Sequence, residues 1–144
     1  MIGEFNREYE FLSNFYLSPV EFDGDQYPSV ENAFQAAKEV GDRTKFKSCS
    51  PGQAKRFGRK VKLRSDWEEI KIAVMTAIVR NKFTIPDLKE KLLATGDEEL
   101  VEGNWWRDTF WGVYKGCGRN ELGKILMKVR QELRGQHVGS HVHE

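Results

Sequence analysis

The segment from Val20 to Lys38 leaves this chain few ways to fold. Val20-Glu21-Phe22-Asp23-Gly24-Asp25-Gln26-Tyr27 alternates apolar and polar residues around an Asp-Gly pair, the strongest short-range signal for a tight hairpin. Pro28 blocks any earlier helix start, and Ser29 is the expected N-cap of a helix that follows at once. Within it Val30, Ala33, Phe34 and Ala37 recur at i, i+3, i+4 and i+7, one apolar stripe. Glu31, Gln35 and Lys38 follow the same spacing one step round, a narrow polar ridge along the border of that stripe. Two readings stand side by side. A carboxylate, an amide and an amine in register at a core edge suit a cleft; equally, Glu31 and Lys38 can be rim charges two turns apart.

Helix signals dominate the remainder. Ser50-Pro51-Gly52-Gln53 reads as a capping box with Pro in the first turn, opening a short helix that Gly58 ends. Ser65-Asp66-Trp67-Glu68 is a second capping box. It opens what reads as the longest helix, with Trp67, Ile70, Val74, Ala77 and Ile78 inward. Pro86 begins a fourth helix carrying Leu88, Leu92 and Leu93, and Gly96 takes the left-handed position that closes it. Asp108 to Tyr114 alternates in the strand manner, although its aromatics suit a loop as well. Asn120 is the expected cap of a last helix with Leu122, Ile125, Leu126, Val129 and Leu133 inward. The expectation is an α+β fold, one mostly helical domain over residues 1–134 with a small antiparallel sheet, and a disordered polar, His-containing tail over 135–144.

The 144 residues carry 23 Lys or Arg and 22 Asp or Glu, so no global field selects a nucleic acid or an acidic partner. Locally the balance shifts. From Lys38 to Arg64 ten basic residues face only Glu39 and Asp42, a surplus of eight that is either a solvated face or a surface for phosphates. Cys49 and Cys117 lie far apart and make no metal or redox motif, and all three histidines fall after Gly135. With no apolar run of membrane length and no signal-peptide pattern at Met1-Ile2-Gly3-Glu4, the expected setting is cytoplasmic, without a membrane partner.

Three segments are richer in polar and aromatic residues than packing requires. In Phe11-Leu12-Ser13-Asn14-Phe15-Tyr16, aromatics bracket a Ser-Asn pair, which suits a stacked heterocycle read along its edge; a core strand entering a turn is the plainer alternative. The second is the Glu31/Gln35/Lys38 ridge. The third runs from Glu102 to Asn120, with Trp105, Trp106 and Trp111 among glycines. There Asp108 beside Phe110 and Trp111 either acts as a desolvated acid or caps a turn. No G-x-S-x-G, P-loop, dinucleotide fingerprint or H-E-x-x-H occurs, and no histidine precedes the tail. Acid–base work therefore falls to Asp, Glu, Lys or Tyr, equipment that suits cleavage of a glycosidic bond through an oxocarbenium-like state.

Taken together, these residues resemble the NADAR domain family, also called YbiA-like N-glycosidases. The resemblance runs from Phe11 to about Leu133. It is carried by Phe11–Tyr16, by Tyr27–Lys38, by Ser50-Pro51 with Ala54-Lys55 and Gly58-Arg59, and by Asp66-Trp67 with Lys71 and Met75. It continues through Lys82-Phe83, Leu92–Asp97, Leu100–Asn104, Asp108 with Phe110-Trp111-Gly112, and Gly118-Arg119-Asn120 with Leu122-Gly123-Lys124 and Leu126-Met127. Asn32 departs from the pattern, standing where many relatives have His, which bears on proton shuttling beside Glu31.

The resemblance implies a hydrolase for the N-glycosidic bond between ribose and a nitrogenous base, with no cofactor and no metal. Its implied substrates are phosphorylated ribosylamino-pyrimidines of early riboflavin synthesis, or ADP-ribose attached to guanine, with ADP-ribosylated nucleic acid as a further partner. Glu31, Lys38 and Asp108 are the implied catalytic groups. Ser13, Asn14, Phe15, Trp67, Trp111, Gly112 and Asn120, with Lys55 and Arg59 for phosphate, are the implied substrate contacts. A module that binds ADP-ribose or nucleic acid without cleaving it is the alternative.

Overall fold

The computed structural model describes residues 1–142, with side chains as far as Gln136. The architecture is mixed and mainly helical, with one two-stranded antiparallel sheet, as the sequence leads one to expect. The backbone gathers into two compact units, residues 14–82 and residues 1–13 with 83 onward.

In the unit of residues 14–82, β1 (Val20–Phe22) and β2 (Asp25–Tyr27) pair Val20 with Tyr27 and Phe22 with Asp25. Asp23 and Gly24 turn between them with φ of 53° and 83°, the two positive angles of a type I′ hairpin. Helix α1 (Val30–Ala37) starts where expected, its Ser29 side chain accepting the Asn32 N–H. Around α1 lie both strands, a 3-10 turn at Thr44–Lys47, α2 (Pro51–Gly58) and α3 (Trp67–Lys82). The α2 capping box forms in both directions, Gln53 N–H to Ser50 Oγ at 3.1 Å and Ser50 N–H to Gln53 Oε1 at 2.9 Å.

Enclosed on so many sides, α1 buries all eight of its residues. Glu31 and Gln35 are thus inside the fold with the apolar stripe, not on its rim. The small Ala33, Ala36 and Ala37 let neighbours approach this closely. Asn32 is wholly enclosed and acts as a pin. Its Nδ2 donates to the carbonyls of Phe46 and Cys49 at 2.9 and 2.8 Å, while Oδ1 accepts the Ser29 hydroxyl at 2.6 Å. Asn32→Ala strands the buried Phe46 carbonyl, the half-buried Cys49 carbonyl and the Ser29 hydroxyl, so a loss of about 2–3 kcal/mol is expected. Thermal denaturation should show it as a Tm lower by roughly 5–10 °C; an unchanged Tm refutes the pin.

Two details of α3 differ from the sequence expectation. Its first residue is Trp67, and the Asp66 carbonyl accepts from Glu69 and Ile70, so the boundary falls one residue beyond Ser65. The buried face comprises Trp67, Met75, Thr76, Ile78, Val79 and Lys82; Ala77 is exposed, and Ile70 and Val74 are only half-buried. Packing against both α1 and β1 turns a face toward each, which a single 3.6-residue stripe does not capture.

In the other unit a 3-10 helix, Arg7–Leu12, precedes α4 (Pro86–Ala94) and α5 (Glu121–Val142). Gly96, with φ of 63°, closes α4 as expected. From α5, Arg134 donates to the Gly96 carbonyl at 2.6 Å and buried Arg130 to the Thr95 hydroxyl at 2.8 Å. Both place positive charge where the α4 dipole is negative. Helix α5, with its expected stripe buried, is longer than α3. It continues past Gly135, where the expected tail begins. The tail's side chains from His137, and His143 and Glu144 entirely, lie outside the described residues.

No strand forms over Asp108–Tyr114. The chain between Val101 and Asn120 is a loop held by backbone pairing, Asn104 N–H to Val113 O at 2.9 Å and Val113 N–H to Glu102 O at 2.8 Å. These bonds explain the local glycines: a Cβ on Gly112 would lie 2.2 Å from the Glu102 carbonyl oxygen.

Candidate active site

The ridge on α1 is the most chemically loaded feature of residues 14–82. Glu31 and Gln35, one turn apart, face each other inside the fold, and Gln35 Nε2 donates to Glu31 Oε1 at 2.8 Å. The Glu31 backbone N–H donates to the Asn14 carbonyl at 2.9 Å, which ties the expected Ser-Asn segment to the start of α1. Asn14 Nδ2 reaches Met75 Sδ at 3.7 Å, and its buried Oδ1 has no hydrogen-bond partner.

Lys38 caps the C-terminus of α1, half-buried. Its Nζ lies 5.8 Å from the Phe34 ring centre and 5.9 Å from that of Trp67, two rings that meet at 5.0 Å. Burial holds its ammonium below the usual lysine range. Glu31 opposes that shift, whereas the charges of Arg59 and Lys71 reinforce it. Trp67 is buried, so in this arrangement it walls the lysine. Phe15, by contrast, exposes its ring.

The basic run is less bare than its composition suggests. Arg43 pairs with Asp23 at 2.9 Å, Lys47 with Asp25 at 2.7 Å and Arg64 with Asp66 at 2.7 Å, all through partners outside the counted window. A cavity of about 350 Å³ lies there, lined by Asp23, Asp25, Asp42, Arg43, Thr44 and Lys47 among others, and it includes none of the expected site residues. Lys55 on α2 is half-buried, and Arg59, the residue after its end, is exposed.

The other expected residues, Ser13, Asp108, Trp111, Gly112 and Asn120, belong to the second unit. Asp108 Oδ1 accepts the backbone N–H groups of Phe110 and Trp111 at 3.0 and 2.8 Å, so this oxygen does cap a turn. Trp111 meets Phe110 edge-on at 4.8 Å. Asn120 adopts φ of 53°, and its side chain does not cap α5 as expected. Oδ1 accepts the Glu102 N–H and Nδ2 donates to the Leu100 carbonyl, both at 2.9 Å, fastening the loop instead.

The NADAR domain family model matches residues 2–134, nearly the whole chain. The chain belongs to the NADAR domain family. Among NADAR relatives, the N-glycosidase YbiA of Escherichia coli (strain K12) is 37% identical over 88% of this chain and 82% of its own length. An N-glycosidase of Nostoc punctiforme is 38% identical, over 88% and 86%. A riboflavin biosynthesis protein of Vibrio vulnificus is 44% identical over 85% of this chain, which spans only 35% of that longer protein. The NMR structure of E. coli YbiA superposes with a TM-score of 0.83 at 34% identity, covering 96% of this chain and 89% of that one. No helix among the described residues is long and apolar enough to cross a membrane.

Two points escape sequence reasoning in this NADAR chain. Asn32, adjacent to Glu31 in sequence, spends its amide on Ser29 and on the 46–49 backbone, and an amide is no proton carrier at neutral pH. It belongs to the architecture. Gly58 looks like a mere helix stop, yet it lies against Gln35. Only the distance between α1 and α2 reveals that, and no local pattern encodes it.

Proposed function

We propose that the chain hydrolyses the N-glycosidic bond between ribose and a nitrogenous base. The observation that carries this is that α1 bears a buried, amide-held carboxylate, Glu31, and ends at Lys38, whose amine sits against the Phe34 and Trp67 rings where burial disfavours its ammonium. Lys38 nitrogen bonds to the sugar C1 as the base departs with the glycosidic electron pair. Glu31 carries the proton that the amine gives up and delivers it to the leaving nitrogen. Ring opening gives an imine, and water then frees the sugar and restores the amine. The names of the E. coli and Nostoc relatives support this bond type.

The substrates in this reading are phosphorylated ribosylamino-pyrimidines or ADP-ribosylated guanine, free or in nucleic acid, in a cytoplasmic setting and without cofactor or metal. The printed name of the Vibrio relative favours the first. Phe15 stacks the base and Asn14 Oδ1, a buried acceptor without a donor, takes a hydrogen bond from its edge. Arg59 and Lys55 meet phosphate. Asp108 enters as a second proton-handling carboxylate through Oδ2, with Ser13, Trp111, Gly112 and Asn120 as further substrate contacts. Ion pairing within the basic run weighs against a module that binds without cleaving.

Chromatography of the purified protein with each substrate group should show free base released from one of them. Borohydride should trap a covalent sugar adduct on the wild type and none on Lys38→Ala. Asp108→Asn, which keeps an oxygen for the turn and removes the acid, should lower kcat by at least about 10²-fold. Binding without base release from either substrate overturns the proposal.

A further inference from the structure

The geometry points to Gln35 as the positioning residue for the Glu31 carboxylate and to Gly58 as the floor that keeps Gln35 in place. The inference rests on the glycosidase reading and assigns a function to the Gln35 contact and to the glycine behind it. Gln35 touches Glu31 through one bond, Nε2 to Oε1 at 2.8 Å, and both side chains are more than nine-tenths buried. That orientation leaves the amide oxygen inside the protein with no hydrogen-bond partner. Turning the amide over would set its oxygen against the carboxylate oxygen and lose the bond. This orientation gives Glu31 the Nε2 donor at the expense of an orphaned buried acceptor, an expense that belongs to a working site more than to a core.

The other side of the amide is closed by α2. A Cβ built on Gly58 would stand 1.8 Å from Gln35 Oε1, 2.7 Å from Cδ and 3.2 Å from Cβ. Gly58 is the last residue of α2, is buried, and has no positive φ, so backbone freedom does not explain it. Glycine is poorer than alanine inside a helix. Here that cost has a purpose, because α2 lies close enough to α1 to press the Gln35 amide toward Glu31. A methyl group at residue 58 pushes the amide off its place and takes the Gln35 bond away from the carboxylate. Errors of that size in a reacting group cost rate and leave binding alone.

The test uses Gln35→Met, which keeps the length and removes the amide, and Gly58→Ala, each alone and combined with Glu31→Gln. Each is expected to lower kcat about 10–10²-fold with KM within about twofold. In the Glu31→Gln background neither lowers kcat further, since the group they orient is gone. A stability cycle reads the floor without activity: Gly58→Ala lowers Tm in the wild type and does not in a Gln35→Ala background. Wild-type kcat in Gln35→Met, or losses that multiply with Glu31→Gln, overturns the positioning role. An equal Tm loss from Gly58→Ala in both backgrounds overturns the floor. A wild type that releases no base overturns the glycosidase reading, while the stability cycle still decides the Gly58–Gln35 contact.

Discussion

Glu31→Gln is expected to lower kcat by at least about 10²-fold and to leave KM nearly unchanged. The replacement is close to isosteric, so the packing of α1 is retained and the observable isolates one function, the carrying of a proton. It also makes Gln35 face another amide in place of a carboxylate, which can still accept through its oxygen; the 2.8 Å contact therefore survives with its charge removed. Circular dichroism and Tm should match the wild type to within a few degrees. If steady-state assays instead give a raised KM with kcat intact, Glu31 is a binding group and the proposed proton path is wrong.

Lys38 yields the second large effect, and its sign with pH is diagnostic. Burial lowers its pKa below the ordinary 10.5, so the neutral amine grows in as pH rises through a window that ends below that value. As a nucleophile it should give kcat/KM an alkaline-rising limb, and Lys38→Arg, still charged but not nucleophilic, should lose at least about 10²-fold in kcat. If the ammonium is what matters, the limb falls with pH and arginine substitutes well. Stability reports the same group independently. Between the lowered folded value and 10.5 the unfolded chain binds a proton that the fold does not, so stability rises with pH across that interval. Lys38→Met should flatten that rise, as urea titrations at several pH values would measure.

Features with purely local causes are readable in the chain itself: the Asp23-Gly24 hairpin, the Ser29 and Ser50 caps, the Gly96 stop and the α5 stripe. Each depends on residues within one or two turns of one another. What periodicity could not decide, or decided wrongly, depends on partners more than two turns away in sequence. Asp108–Tyr114 alternates like a strand, but Asn104 and Glu102 supply its backbone partners and fold it into a loop. Asn120 reads as a cap because its neighbours look like a helix start, while its amide answers to Leu100 and Glu102. The positions of Glu31 and Lys38 on one helix were legible from spacing; the depth of Glu31 was not, because periodicity does not count how many neighbours surround a helix.

The complete enclosure of α1 also says something about time. The backbone of a helix packed on so many sides meets solvent only when the body around it opens, so its amides should exchange hydrogen as slowly as any in the chain. Glu31 and Gln35 therefore ride on the part of the molecule that moves least. In the proposed mechanism the carboxylate is therefore already in place when substrate arrives. In that mechanism, adjustment to different substrates is left to exposed groups such as Phe15.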